Sequence, residues 1–209
     1  MKPIVFVGSN GNLLQMVDNT HSTGRTVAGI VDSDYYGNTS HIENIPIIGS
    51  ELDFRWTNQY DYFLATSWFS TLNDDVLIRG AEKRKRLIEV LLQNNITCTS
   101  LVHSRAYVPA TCSIGQGVMI GVDAVLGNYV QVGDFAQIRE QSYVAHEAQI
   151  GRSTVIQVGC YIGSEAEIGD ESYIGVRATV VPQIGHKLII PKNSFIKSRS
   201  LVTKSLTSS

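Results

Sequence analysis

A charge surplus of either sign is missing: 17 lysines and arginines stand against 19 aspartates and glutamates, a formal net charge of −2. No global positive field draws the chain to nucleic acid or anionic lipid, and those partner classes are disfavoured first. Charge is also scarce in total, at 17% of residues, where about 25% is usual for a soluble domain. With 43% hydrophobic residues, part of this surface is expected to be covered by another chain, because an interface removes area that charges would otherwise solvate. Cysteine is nearly absent. Cys98, Cys112 and Cys160 are odd in number and form neither CxxC nor any other ligand spacing, which argues against a disulfide framework or thiolate metal site and fits a reducing cytoplasm. No apolar run approaches the roughly 20 residues of a membrane span. Met1 leads straight into Pro3-Ile4-Val5-Phe6-Val7 without a basic n-region or cleavage site, so no signal peptide is expected.

What is present is a period of six. Val102, Val108, Ile114, Ile120, Leu126, Val132, Ile138, Val144, Ile150, Ile156, Ile162, Ile168, Ile174 and Val180 form an unbroken row of 14 branched aliphatics. The next residue is glycine in 8 of the 14 hexads, and the residue four places on is Ala, Ser, Thr or Cys in 11. A helix of 3.6 residues per turn rotates each such aliphatic away from the last, whereas short strands joined by tight turns point them all inward. Six-residue periodicity predicts a parallel β-helix whose three sides make an 18-residue coil, with the small residues inward and the glycines relieving the bends. The phase breaks after Val180, at Pro182-Gln183-Ile184-Gly185-His186-Lys187-Leu188, and resumes at Ile190, Ile196 and Val202. A loop near 182–189 is therefore expected to project. Lys187, Lys192, Lys197, Arg199 and Lys204 concentrate positive charge in the last coil and tail.

Residues 1 to about 95 alternate strand and helix. Ile4-Val5-Phe6-Val7 is a buried strand, Gly8-Ser9-Asn10-Gly11-Asn12 a glycine turn, and Leu13, Leu14, Met16 and Val17 open a helix. Val27–Val31 predicts a second strand ending in Asp32-Ser33-Asp34, and Tyr62–Thr66 a third ending in Ser67. Such alternation implies a parallel sheet whose ligand lies beyond the strands' carboxyl ends, with phosphate favoured at the first helix start. The turn departs from GxGxxG, so on its own it is equally a tight turn. Asp74 to Gln93 reads as a helix with Leu77, Ala81, Ile88 and Leu92 on one face and the basic run Glu82-Lys83-Arg84-Lys85-Arg86 on a solvated one.

Five histidines raise the question of a metal, but His21 and His41 lie in polar stretches, His186 in the projecting loop, and His103 and His146 fall on neither one side nor stacked positions. No metal is expected. His146 sits beside a bend, so it reaches solvent or a partner, and the carboxylate of Glu147 next to it is placed to fix its tautomer, which suits a general base. Cys160 and Cys112 occupy the small inward row and read as core rather than acyl-carrying nucleophiles.

The order of a β-α-β domain, Leu101-Val102-His103-Ser104-Arg105-Ala106, then hexads containing Val144-Ala145-His146-Glu147 resembles the sugar acyltransferases that include bacillosamine-type nucleotide-sugar N-acetyltransferases and sialic-acid O-acetyltransferases. The resemblance covers nearly the whole chain. It implies a Rossmann-like α/β domain over 1–100 that binds a nucleotide-linked amino sugar of the uridine or thymidine type. It further implies a left-handed parallel β-helix of hexapeptide repeats over 101–209, a homotrimer, and acetyl-CoA as cosubstrate between adjacent solenoids. The family pattern I-N-T-x-x-V-I-E-H-[DE] matches Ile138 to Glu147. By that match His146 is the general base, Glu147 its orienting partner, and Ser164, one coil further on, offers a backbone N–H to the thioester oxygen. Gly8, Ser9, Asn10, Gly11, Asn12, Asp32, Asp34, Thr66, Ser67 and Arg139 are the implied substrate-binding residues, and Gly163, Ser164, Arg177, Lys197 and Arg199 the implied acetyl-CoA contacts. Departures are Arg139 in place of asparagine, Val155 where some members carry a second histidine, and a tail, Leu201-Val202-Thr203-Lys204-Ser205-Leu206, without the terminal V-G-x-P-A-K. Transfer to an amine leads, with transfer to a hydroxyl and an inactive trimeric scaffold as alternatives.

Overall fold

The computed structural model describes residues 1–9, 12–66 and 74–206, with the backbone alone over 74–81. Two compact units divide it, Met1–Leu101 and Val102–Ser209.

The first unit runs β1 (Ile4–Val7), α1 (Leu13–Ser22), β2 (Val27–Val31), β3 (His41–Ile42), β4 (Ile45–Gly49), β5 (Asp61–Leu64) and α2 (Asp74–Gln93). Its five strands lie in the order β3-β4-β2-β1-β5. The fully buried β1 pairs in parallel with β2 and β5, and β2 in parallel with β4. The chain therefore leaves β1 on one side and returns on the other, which gathers the ends of β1, β2 and β5 around Gly8, Asp32 and Thr66. The β3–β4 hairpin was not expected: its two-residue turn, Glu43-Asn44, holds both residues at positive φ (48° and 63°), the primed geometry that suits a tight antiparallel return. His21 and His41, read as loop residues, lie in α1 and β3.

Helix α2 buries a different stripe from the expected one. Arg84, Leu87, Ile88 and Leu91 are buried, and Leu92 is 46% exposed; Leu77 and Ala81 fall outside the described side chains. The spacing i, i+3, i+4, i+7 from Arg84 makes one helical face, so Arg84 turns inward from the basic run while Glu82, Lys85 and Arg86 stay exposed.

The second unit is a parallel β-solenoid of the left-handed type. Two-residue strands recur every six residues from Leu101–Val102 to Thr179–Val180 with one gap, where Tyr107 makes only an isolated bridge to Val125. Partners are 18 apart, as in Gln131 with Gln149, Tyr143 with Tyr161 and Val155 with Tyr173. Beyond the projecting loop the offset becomes 22, as in Glu167 with Ile189 and Thr179 with Leu201, so the loop adds four residues to one coil. Columns such as Ile120, Ile138, Ile156 and Ile174 are wholly buried, and Ala124, Ser142, Cys160 and Ala178 fill the corners between them.

The glycines act otherwise than expected. The bend is made three residues after each aliphatic, where Tyr129, Glu147 and Glu165 hold φ near 60°. Glycine just after the aliphatic instead permits close approach of the next coil: a Cβ on Gly127 would lie 2.5 Å from the His146 nitrogen, and one on Gly151 2.5 Å from that of Asp170.

Candidate functional site

In the solenoid, the hexad after Tyr143–Val144 turns the corner at Glu147 (φ 60°), which throws His146 and Glu147 outward. Both side chains are 56% exposed, and His146 Nδ1 lies 3.8 Å from Glu147 Oε1. That separation is longer than a hydrogen bond. One coil on, Gly163 and Ser164 occupy the same corner. Ser164 is half-buried, and its neighbour Glu165 donates its N–H to the His146 carbonyl at 3.1 Å, which ties the two corners together. Among the described residues the Ser164 N–H has no partner, so it is available as a donor.

Beside this corner runs a groove of about 760 Å³. One wall carries Glu147, Gly163, Ser164 and Glu167, and the other is the projecting loop, including His186 and Lys187. Two contacts hold the loop in place. Lys187 pairs with Glu167, and Pro182 sits where any Cβ on Gly163 would come within 2.7 Å, so Gly163 serves packing directly behind the groove. The loop's tip, Ile184, is fully exposed.

The expected cations fall elsewhere. Arg139 and Lys197 head, and Arg177 and Arg199 close, the bend after a different side of the solenoid, Arg177 and Arg199 with φ of 54° and 60°. None lines the groove of their own chain. Arg139 is buried, with Nε 3.2 Å from both carboxylate oxygens of Glu140; Arg177, Lys197 and Arg199 are exposed. Val155, one of the departures noted in the sequence, is wholly buried. Cys160 is buried, and its thiol donates to the Gly175 carbonyl at 3.1 Å. Burial pushes it up to about 11, opposed by backbone hydrogen bonds, so it is no ready nucleophile.

In the first unit, Gly8 (φ 77°) packs so tightly against Thr66 and Leu87 that a Cβ would meet either at 2.6 Å. Ser9 Oγ donates to Asp32 Oδ2 at 2.7 Å, and the Asp34 N–H donates to Asp32 Oδ1 at 3.0 Å. Thr66 is buried and its carbonyl accepts from Arg84. Thus Gly8, Ser9, Asp32, Asp34 and Thr66 come together. Asn12 is the N-cap of α1 without a side-chain capping bond, while Asn10, Gly11 and Ser67 lie outside the described residues.

Three residues absent from the expected set complete this cluster. Lys83 Nζ reaches both Asp32 oxygens at 3.0 Å and Asp34 Oδ2 at 2.6 Å. Burial alone would lower its pKa, but the two carboxylates outweigh that and hold it above its usual value. The buried Glu51 accepts from the Ser33 N–H and Oγ at 2.6 and 2.7 Å and pairs with Arg86 at 3.0 Å. Arg84 is fully buried, which lowers it to about 10, slightly opposed by Cys98. The signal for Lys83 was its place one turn before Leu87, the residue that touches Gly8. Among the described residues no group of His, Cys, Asp and Glu is gathered to hold a metal ion, and no helix is long and apolar enough to cross a membrane.

No family model matches the chain, and no curated protein matches it. Solved structures do. PerB from Caulobacter crescentus, solved with CoA and GDP-perosamine, superposes with a TM-score of 0.74 at 20% identity, over 100% of this chain and 92% of that one. The chain shares that fold. WeeI from Acinetobacter baumannii gives 0.76 at 21% identity over 99% and 93%. The acetyltransferase domain of PglB from Neisseria gonorrhoeae, solved with acetyl coenzyme A, gives 0.54 at 15% over 97% and 93%.

Proposed function

We propose that the chain transfers acetyl from acetyl-CoA to the amino group of a nucleotide-linked amino sugar, directly and without a covalent enzyme intermediate. The observation that carries this reading is the corner where exposed His146 and Glu147 stand one coil from Ser164, with Glu147 and Ser164 lining the adjoining groove and His146 just outside it. It is supported by the fold shared with PerB, whose structure holds CoA and GDP-perosamine. The His146 imidazole takes the proton from the amine as nitrogen attacks the thioester carbonyl. Glu147 sits across Nδ1 to orient the ring and offset the imidazolium charge as it forms. The Ser164 N–H points at the oxyanion that develops. The sulfur leaves as free CoA, and the proton returns through His146. The acceptor's nucleotide occupies the cluster of Gly8, Ser9, Asp32, Asp34 and Thr66.

The groove's own lining carries a single cation, Lys187, which is already paired with Glu167. Arg139, Arg177, Lys197 and Arg199 do not line that groove, and Tyr107, Tyr143, Tyr161 and Leu201 stand 41% to 70% exposed in one row along the side that leads up to the His146 corner, where Tyr161 lines the groove. A homotrimer covers that row and brings one chain's cations to its neighbour's groove, where they meet the phosphates of acetyl-CoA. Light scattering then gives three chains per particle; a stable monomer contradicts the shared site.

His146→Ala tests the base. It is expected to lower kcat by about 10²- to 10⁴-fold while leaving the KM for acetyl-CoA nearly unchanged. An unchanged kcat removes His146 from the mechanism.

A further inference from the structure

Among the described residues, two aromatic side chains sit on left-handed backbone, Tyr129 (φ 62°) and Phe135 (φ 59°), both at bends of the solenoid. A bulky residue there costs conformational energy and persists where something offsets the cost. For Phe135 the offset is burial, since it is 1% exposed. Tyr129 is 60% exposed. The rings of Tyr143 and Tyr161 stack with centres 5.4 Å apart, whereas that of Tyr129 meets no other ring among the described residues. The bend is held without it, because the Tyr129 N–H donates to Thr111 Oγ1 at 3.3 Å. The ring is therefore kept for something other than the fold.

Its place along the groove narrows the choice. Tyr129 stands one coil before Glu147 and two before Glu165 at the same bend, and it lines the groove's end away from the projecting loop, with Gln131 and Gln149 beside it. With the amine at His146 and the thioester carbonyl at the Ser164 N–H, attack runs from the earlier coil towards the later one. A nitrogen attacking a carbonyl carbon points its own substituent away from that carbon, so the body of the acceptor falls on the coil before His146, the coil of Tyr129. A pyranose ring is about as wide as one coil spacing, about 4.8 Å. The lining there suits it. Tyr129 presents an aromatic face to the ring's apolar C–H side, and the amides of Gln131 and Gln149 both donate to and accept from hydroxyls. None of the three carries the positive charge that would favour a diphosphate, and Lys187 lies at the loop end.

We infer that Tyr129 is the platform on which the acceptor's pyranose ring stacks, so that it sets affinity for the amino sugar and not for acetyl-CoA. This rests on the acetyl-transfer reading above and deepens it by assigning the sugar's place in the groove.

Initial rates with acetyl-CoA and UDP- and GDP-linked 3-amino and 4-amino deoxysugars test it in the wild type, Tyr129→Asn and Tyr129→Phe. Asparagine removes the ring and tolerates left-handed backbone. In that variant the KM for the sugar is expected to rise about 5- to 20-fold. The KM for acetyl-CoA and the particle mass hold, and the thermal unfolding midpoint is no lower than that of the wild type. Tyr129→Phe, which keeps the ring, brings the sugar KM most of the way back; a KM that stays high there overturns the stacking. An unchanged sugar KM in Tyr129→Asn overturns the assignment and leaves acetyl transfer standing. A rise confined to acetyl-CoA does the same, because it puts the cosubstrate on the ring. A lower midpoint, failure to fold or a smaller particle marks a ring kept for the fold or an interface, and also overturns it. No turnover of any amino sugar by the wild type overturns the transfer reading itself, and the place of Tyr129 with it.

Discussion

Two buried thiols respond to pH through the residues that enclose them. Burial pushes Cys98 up to about 12 and Cys160 up to about 11, from an ordinary value of 9.0. In the unfolded chain both ionise near 9, so between about 9 and 10 the unfolded state has released protons that the folded state keeps, and stability falls as pH rises. Below 9 the contribution is whole. Arg84, lowered to about 10, shifts in the opposite sense and acts only above that pH. Lys83, held above its usual value, loses its contribution at higher pH still. Thermal scans at pH 7.5, 9 and 10 are expected to show a midpoint that drops across the last two, and less so in a Cys98→Ala, Cys160→Ala double variant. Equal slopes in the two proteins contradict the assignment.

At the scale of one coil, the two kinds of corner residue separate cleanly. Gly151 has an ordinary φ but no room, since a Cβ meets backbone at 2.5 and 2.6 Å. Gly159 has room, with Arg177 Cγ at 3.3 Å, but a φ of 67°. Gly151→Ala forces the coils apart and is expected to cost about 1–3 kcal/mol; Gly159→Ala meets only the strained φ, about 1 kcal/mol or less once the stiffer unfolded chain is counted. Denaturant unfolding orders the two, and the reverse order contradicts this account of the corners. The aliphatic row was legible because burial on three flat sides repeats strictly, and so were the 18-residue coil and the break after Val180. The bend beside His146 was placed, but the left-handed backbone that makes it was not legible. Tyr129, Glu147 and Glu165 share only a backbone angle, with no residue type to betray it. Nor was the function of the basic run: its charges look solvated until helix register sets Arg84 beside Leu87 and aims Lys83 at Asp32. The β3–β4 hairpin escaped because its turn is Glu43-Asn44 rather than a glycine pair, and Pro46 interrupts the apolar pattern.

For the molecule as a whole, the sequence placed His146, Glu147, Gly163 and Ser164 on adjoining coils, and one corner with its groove holds them together. Arg177, Lys197 and Arg199, expected to contact acetyl-CoA between adjacent solenoids, lie on a different corner of the single chain. Histidine, carboxylate and a free N–H beside a groove suit the proposed acyl transfer to a nucleophile delivered in its neutral form. The most direct measurement mixes the purified protein with acetyl-CoA and UDP- and GDP-linked 3-amino and 4-amino deoxysugars, and follows free CoA together with product mass. The account predicts CoA release matched by a gain of one acetyl group on an amino sugar, abolished by omission of the sugar. CoA binding without transfer to any amine, and with transfer to a sugar hydroxyl instead, would contradict it.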